Sequence, residues 1–429
     1  MIQLKQLEHM RIQLKDIELA TENFSSEYCI VSGGFGTVYK TKLDHVDRKY
    51  CFATKAANVP EVPKKQNTVA VKRIFDTEDE SGEQGFYAEI EMLTSCKHSN
   101  ILTLLGFCDE GSAMILVYEY ALNGSLVDYL QNRNNTTNDS WAQRMKICLQ
   151  VAKGLSYLHT GEGGRQEIVH RDIKSANILL DENLDAKIGD FGLCKFLDCK
   201  NEEHNEHYSR QIAGTKVYMD PQYAKEGKLK KESDVYCLGV VMSEILCGRL
   251  AYDTVYNSHN SKGLAPTARW HVENKTVQEF VDPRMKEGIT EAILPSIKRL
   301  YQNSFDMFSS IAYKCLDETQ ANRPTMECVI KELEEALPFQ ILQFQIQFNV
   351  AGRMVPKAKL RLNWNRDNCG FNGWFDPPMC LRVVVIIPGL LRNMNELREI
   401  TDANAIKARR MKFLLGFSWF FFVVYIMMK

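Results

Sequence analysis

Ile168 to Leu180 reads I-V-H-R-D-I-K-S-A-N-I-L-L, and I-G-D-F-G follows at 188 to 192. Within these two strings stand a carboxylate (Asp172), a lysine two residues further on (Lys174), an amide (Asn177) and a second carboxylate (Asp190). Those residue types divide one chemistry among them. Asp172 is suited to take a proton from a hydroxyl, Lys174 to neutralise a phosphoryl group in transit, and Asn177 with Asp190 to give oxygen ligands to Mg²⁺, a hard cation that prefers oxygen.

Upstream, residues 30 to 39 read I-V-S-G-G-F-G-T-V-Y, a glycine-rich turn between two apolar strands. Without Cβ atoms, its backbone N–H groups can come close to phosphate oxygens. Lys72 follows in V-A-V-K on a strand, and Glu89 in Y-A-E-I-E-M-L on a helix, so the carboxylate can hold the lysine toward the α and β phosphates. Taken singly, the glycine turn is a common hairpin and the pair a surface ion pair worth about 0 to 1 kcal/mol. A chance match to all four features in this order is very improbable.

Periodicity places these features in two lobes. Residues 1 to 27 form a lead-in with Leu7, Met10, Leu14 and Ile17 at near-helical spacing. Strands are expected around the glycine turn, from Thr68 through V-A-V-K-R-I, and over 101–108 and 115–120, with a helix over 85–96. Residues 41 to 68, marked by Pro60, Pro63, Lys64 and Lys65, read as an enlarged surface loop. After Asn123 and Gly124 helices dominate: 141–159, 233–247, 307–315 and 326–337. The expected fold is α+β and bilobal, with a small strand-rich lobe over 28–121, a large mostly helical lobe over 122–337, and a nucleotide in the cleft between them.

With these strings in place, the chain resembles the protein kinase family from about residue 13 to 337. The resemblance is to plant receptor-like and receptor-like cytoplasmic kinases, carried further by I-E-L-A-T-E-N-F-S (17–25), L-L-G-F-C (104–108), L-V-Y-E-Y-A-L-N-G-S-L (116–126), K-K-E-S-D-V-Y (230–236) and N-R-P-T-M (322–326). It implies an ATP- and Mg²⁺-dependent protein kinase with Asp172 as base, Lys174 on the phosphate, Asn177 and Asp190 on the metal, and Lys72 with Glu89 as the activating pair. Gly33, Gly34 and Gly36 would cover the phosphates. Val38 and Ala70 would roof the adenine, Leu179 would floor it, Tyr118 would stand behind it, and backbone from Glu119 to Ala121 would bond the base. Lys174 is similar to the serine/threonine group. Residues 190 to 222 would form the activation segment, with Ser209 as the preferred phosphosite, Arg171 as a phosphate receiver, and Thr215 in a structural role beside Asp172 and Lys174.

Two positions depart from the family pattern. Val31 stands at the first loop glycine, beside the nucleotide, and is expected to weaken ATP binding without abolishing it. Gln222 replaces the glutamate that would partner Arg323, at an expected local cost of about 1 to 3 kcal/mol. These departures sustain the alternatives of a pseudokinase scaffold and of a nucleotide-binding switch without phosphotransfer.

Composition sets the remaining bounds. The 429 residues carry 53 basic and 54 acidic side chains, so no global field favours nucleic acid, and none is expected as a partner. Thirteen cysteines, an odd number lacking C-x-x-C spacing, and no secretory h-region after Met1 point to free thiols and a cytoplasmic location. The expected partners are a protein substrate and an upstream receptor kinase, which the chain would serve as a cytoplasmic partner since no membrane span precedes the kinase region. Residues 338–412 match no motif, although 342–350 alternates as a strand does and 383–387 is an apolar run. Residues 413–428, uncharged and preceded by Arg409, Arg410 and Lys412, would make a helix of about 24 Å against a hydrocarbon core of about 30 Å. That run fits a membrane-associating anchor, a packed hydrophobic helix, or the product of an imperfect gene model.

Overall fold

The computed structural model describes residues 4–33, 36–47, 64–75, 81–131, 139–161, 166–197, 207–208, 212–257, 263–287 and 295–337. Gly34, Ser209 and the stretches 342–350, 383–387 and 413–428 lie outside the described residues. Among the described residues no helix is long and apolar enough to cross a membrane.

Five antiparallel strands build the small lobe: β1 (Cys29–Gly33), β2 (Gly36–Val46), β3 (Lys64–Ile74), β4 (Leu104–Cys108) and β5 (Met114–Glu119), in the order β1-β2-β3-β5-β4. Strand alternation divides the sheet into two faces. The register Val31↔Val38, Val38↔Lys72, Lys72↔Leu116 and Ala70↔Tyr118 sets those residues on one face. Helix α2 (Ser81–Ser95) packs on that side, since its Glu89 meets Lys72. The opposite face carries Tyr39, Val69 and Val71, all buried.

The lead-in shields that second face. A 3₁₀ helix over Leu4–Met10 and helix α1 (Leu14–Ala20) bury Leu7, Met10, Ile12 and Ile17, and the Thr41 hydroxyl donates to the Ala20 carbonyl. Ile12 gives its N–H to Phe107 at 2.9 Å, so the lead-in also lies along the exposed edge of β4. Ladder pairing between β2 and β3 continues out to Val46↔Lys64, which corrects the two ends of the expected loop, 41–46 and 64–68, to strand; 48–63 lie outside the described residues. Thr41, Leu43 and His45 alternate with exposed Lys42 and Asp44, a strand pattern that the many charges disguise.

The large lobe opens with α3 (Leu126–Gln131) and α4 (Trp141–Thr160), followed by short strands β6 (Glu167–Val169), β7 (Ile178–Leu180), β8 (Ala186–Ile188) and β9 (Lys195–Leu197). These pair as two hairpin-like ribbons, β6 with β9 and β7 with β8. β10 (His207–Tyr208) pairs with β11 (Lys228–Leu229) around α5 (Pro221–Glu226). Helix α6 (Lys231–Cys247) is buried along nearly its whole length and runs through the middle of the lobe. Around it stand α7 (Thr254–Asn257), α8 (Leu264–Glu273), α9 (Val277–Phe280), α10 (Pro283–Glu287), α11 (Pro295–Cys315) and α12 (Met326–Ala336). α11 begins well before the expected Met307, with Pro295 in its first turn, where a missing N–H costs nothing. The two-lobed α+β arrangement expected from the sequence is the one observed, and every cysteine among the described residues is a free thiol.

Candidate active site

The loop after β6 presents Asp172, and α6 holds that loop. Asp234 accepts the backbone N–H groups of His170 (2.8 Å) and Arg171 (2.9 Å), and His159 Nε2 donates to it at 3.0 Å. Arg171 has φ +72°, a left-handed conformation that costs a bulky residue about 1 to 3 kcal/mol and must be held from outside. The His170 ring donates through Nε2 to the Gly189 carbonyl (3.2 Å) and accepts the Asp172 N–H at Nδ1 (3.3 Å), which fixes its tautomer and ties this loop to the strand leading to Asp190.

Asp172 is 5% exposed and surrounded by donors. Lys174 Nζ donates to Oδ2 at 2.6 Å, while the Thr215 hydroxyl and N–H donate to Oδ1 at 2.7 and 2.9 Å. The Asn177 amide nitrogen reaches the Asp172 carbonyl (2.9 Å) and Oδ2 (3.2 Å), and Lys174 also donates to the Thr215 hydroxyl at 3.0 Å. Thr215 reaches this point because Gly214 passes so near the Arg171 carbonyl that a Cβ would stand 2.6 Å from its oxygen. Its position is the one expected from the sequence.

Across the cleft, Lys72 Nζ lies 3.0 Å from Glu89 and 2.7 Å from Asp190. Burial works against the charged lysine, but the two carboxylates outweigh it and raise its pKa. Burial likewise opposes the charge of Asp190, and Lys72 more than compensates, holding that carboxyl below its usual range. The second Glu89 oxygen accepts the Phe191 N–H at 3.1 Å, which joins α2 to the segment carrying Asp190. Tyr118 is buried beside Glu89, and its hydroxyl makes no well-formed hydrogen bond. Burial and the Glu89 charge push its pKa well above the ordinary value.

The donor set suits a hard cation. Asn177 spends its side-chain nitrogen on Asp172 and keeps its side-chain Oδ1 to offer, while its main-chain carbonyl accepts the Gly189 N–H (2.9 Å) and so fastens Asn177 to the strand end before Asp190. Among the described residues no group of three or more His, Cys, Asp or Glu side chains gathers to hold a metal by itself. Two protein oxygens, with water and phosphate completing the shell, is the arrangement Mg²⁺ favours.

On the cleft face of the sheet, Val38 and Ala70 are half-buried, Val31 is 58% exposed beside Val38, and Leu179 on β7 is half-buried below Gly189. Gly33 has open space where a Cβ would stand, whereas at Gly36 (φ +148°) a Cβ would meet the Arg73 carbonyl oxygen at 2.2 Å, so no side chain fits there. The segment between the lobes is fixed by Glu119 N–H to the Thr103 carbonyl (3.1 Å) and Gly124 N–H to the Ala121 carbonyl (3.2 Å).

Several residues that hold this site were not singled out from the sequence. Asp234 lies within K-K-E-S-D-V-Y (230–236), where residue type alone does not name its role. Buried Lys187, three residues before Asp190, reaches the Glu119 carboxylate and the Ser99 carbonyl, each at 3.2 Å, behind the segment between the lobes. Glu244 of α6 accepts the Tyr218 hydroxyl at 2.6 Å. A carboxylate within an apolar run is the local signal for Glu244, whereas Asp234, following Lys231, Glu232 and Ser233, has none. Arg171, expected as a phosphate receiver, is buried and donates to the Leu193 carbonyl (3.1 Å) and the Tyr223 hydroxyl (2.8 Å).

The expectation for Gln222 needs correction. Arg323 is not left without a carboxylate: its Nη2 lies 2.7 Å from Asp220, and Gln222 instead accepts the Gln320 N–H at 2.9 Å. The local cost expected from losing a glutamate is offset because Asp220, two residues earlier, supplies the charge.

The family model described as "Protein kinase domain" matches residues 24–333. The chain is similar to three Arabidopsis thaliana proteins, each described as a probable receptor-like protein kinase. The first is 38% identical over 355 residues (82% of this chain, 38% of the relative), the second 37% over 333 residues (78% and 35%), and the third 37% over 330 residues (76% and 33%). The chain thus spans about a third of the length of these curated relatives.

Proposed function

This chain belongs to the protein kinase family, and we propose that it transfers the γ-phosphate of ATP to serine or threonine hydroxyls of a protein substrate. The observation that carries this reading is the convergence of Lys174, Thr215 and Asn177 on Asp172, together with Lys72 held between Glu89 and Asp190. The serine/threonine preference rests on Lys174, which bridges Asp172 and Thr215 at the place where an acceptor hydroxyl would enter.

In this mechanism the acceptor hydroxyl gives its proton to Asp172 as its oxygen bonds to the γ-phosphorus, and the bond from that phosphorus to the β–γ bridging oxygen breaks. Lys174 neutralises charge on the group in transit. Lys72, kept in place by Glu89, turns from Asp190 toward the α and β phosphates. Gly33 leaves the backbone open above the phosphates, Gly36 lets the hairpin close against the Arg73 carbonyl, and Val38, Ala70 and Leu179 enclose the base, with Tyr118 behind it and backbone at Glu119 to Ala121 along its edge. Asn177 and Asp190 would hold Mg²⁺, which when bound supplies positive charge to the phosphate oxygens. Positioning and fixed charge account for the catalysis.

The scaffold reading drew on Val31 and Gln222. Val31 sits exposed on the hairpin, and the Arg323 charge is met by Asp220, so neither departure removes a group from the site. The relatives' names make receptor-linked signalling the setting we propose, with an upstream receptor kinase as partner. The test is transfer of γ-labelled ATP to the chain itself and to a basic acceptor, comparing wild type with Asp172→Asn. Loss of a general base is expected to cost at least about 100-fold. A wild type that binds ATP and labels nothing would overturn the proposal.

A further inference from the structure

Asp220 and Arg323 are 103 residues apart in sequence, and both side chains have zero exposure. The guanidinium donates to the Asp317 carbonyl (2.8 Å) and the Glu232 carbonyl (2.9 Å), and lies over the Tyr236 ring at 4.9 Å. Three acidic residues, Asp317, Glu318 and Glu232, surround it, yet all three lend it only main-chain carbonyls. A buried cation needs a counter-charge. Asp220 provides it, and burial, which opposes a charged carboxyl, is overcome by Arg323, Gln320 and Ser233, so its pKa stays below the usual range.

That one carboxylate gathers four pieces of chain. Oδ1 takes Arg323 and also caps α5 through the Gln222 N–H at 2.9 Å. Oδ2 accepts Ser233 Oγ at 2.8 Å, from the first turn of α6, and Gln320 Nε2 at 2.7 Å, from the 3₁₀ turn before Arg323. The stretch that ends at Asp220 begins at the site. Thr215 bonds Asp172, Tyr218 bonds Ser175 (2.9 Å) and Glu244 (2.6 Å), and beyond Asp220 the Tyr223 hydroxyl meets Arg171 and the Ala213 N–H (2.8 and 3.3 Å). This stretch is therefore fastened to the site at its start and to the large lobe at its end.

We infer that Asp220 is the positioning residue that anchors the 213–223 stretch, having taken from position 222 the charge that neutralises Arg323. Gln222 brings no charge of its own, accepting the Gln320 N–H and donating to the Glu226 carboxylate at 3.3 Å. Its side chain touches the same turn that leads into Arg323, so a carboxylate at 222 stands where it can substitute for one at 220. The inference rests on the kinase reading for its activity readout alone.

The experiment compares wild type, Asp220→Asn, and Asp220→Asn combined with Gln222→Glu. Hydrogen exchange is followed by mass spectrometry over peptides from 212 to 229, beside ATP binding and peptide phosphorylation. Asp220→Asn keeps the cap and removes the charge. It is expected to raise exchange across 212–229 and to lower kcat/KM for the peptide about tenfold, with the dissociation constant for ATP within about twofold of wild type. The double variant is expected to recover both protection and activity. Wild-type protection in Asp220→Asn, or failure of Gln222→Glu to restore it, overturns the inference. If Asp220→Asn does not fold, recovery of folded protein in the double variant supports the inference and failure of both overturns it. Absence of transfer in wild type counts against the kinase reading and leaves the exchange result to decide this one.

Discussion

Replacing Asp234 with asparagine tests how the catalytic loop is held. The carboxylate uses one oxygen for the Arg171 N–H (2.9 Å) and the other for the His170 N–H (2.8 Å) and His159 Nε2 (3.0 Å). Asparagine has almost the same shape but only one acceptor, so its NH₂ must face either a backbone N–H or the donors on the other side. One buried donor left unsatisfied costs about 1 to 3 kcal/mol. The surviving bond also loses its charge assistance, roughly half its strength. Arg171, at φ +72°, then keeps its strained conformation with one support instead of two. The expected loss is about 2 to 4 kcal/mol of local stability, centred on residues 169–172. Native-state hydrogen exchange reads it directly, as faster exchange at those amides, and phosphotransfer is expected to fall about 10- to 100-fold with little change in ATP affinity. Exchange and turnover equal to wild type would refute the argument that Asp234 holds the strained turn.

Lys187→Met removes the contacts to Glu119 and the Ser99 carbonyl behind the segment between the lobes; a loss of about 1 kcal/mol predicts a roughly fivefold higher KM for ATP with kcat unchanged, and an unaltered KM would exclude a positioning role. Glu244 is pushed from an ordinary 4.5 up to about 7, chiefly by burial. Its folded pKa is the higher one, so the folded state binds more protons between those values, and stability falls as pH rises from about 4.5 to 7 and then levels off. Glu244→Gln, which keeps the acceptor for Tyr218 and for the Ala251 N–H, is expected to remove that slope of about 3 kcal/mol in urea unfolding measured from pH 5 to 8. Parallel pH profiles for the two proteins would contradict it.

What was legible in the sequence follows from the range over which each signal acts. Alternation and helical period are local, so the core strands and the helices at 141–160, 231–247 and 326–336 could be read with small errors at their ends. The β2–β3 extension was missed because Lys42, Asp44, Lys64 and Lys65 look like a solvated loop, while Thr41, Leu43 and His45 bury the other face. At the site, Asp172, Lys174 and Asn177 lie within six residues of one another, and their types carry the chemistry. Lys72 with Glu89 could be read as a strand–helix pair, but the meeting of Lys72 with Asp190, 118 residues on, has no local signal. Asp220 with Arg323 and Lys187 with Glu119 meet over separations that no periodicity encodes, and the substitution at 222 pointed to the wrong carboxylate because the right one stands two residues away.

Most of these long-range holds converge on one helix. From α6, Asp234 grips the backbone of His170 and Arg171, Glu244 receives Tyr218, Ser233 meets Asp220, and the Glu232 carbonyl takes Arg323. Ser233 and Asp234 are neighbours in its first turns, and Glu244 stands roughly three turns further on, about 15 Å along the axis. The base loop and the 213–223 stretch are therefore set at a spacing fixed by helical geometry, and apolar side chains hold the helix itself in place on nearly every side. A buried polar group in such a helix carries a desolvation cost that only a well-formed partner offsets. Sequence changes in α6 far from the phosphates then reach the chemistry through the backbone of Arg171, the hydroxyl of Tyr218 and the Asp220–Arg323 pair, while changes on its apolar faces act first on stability.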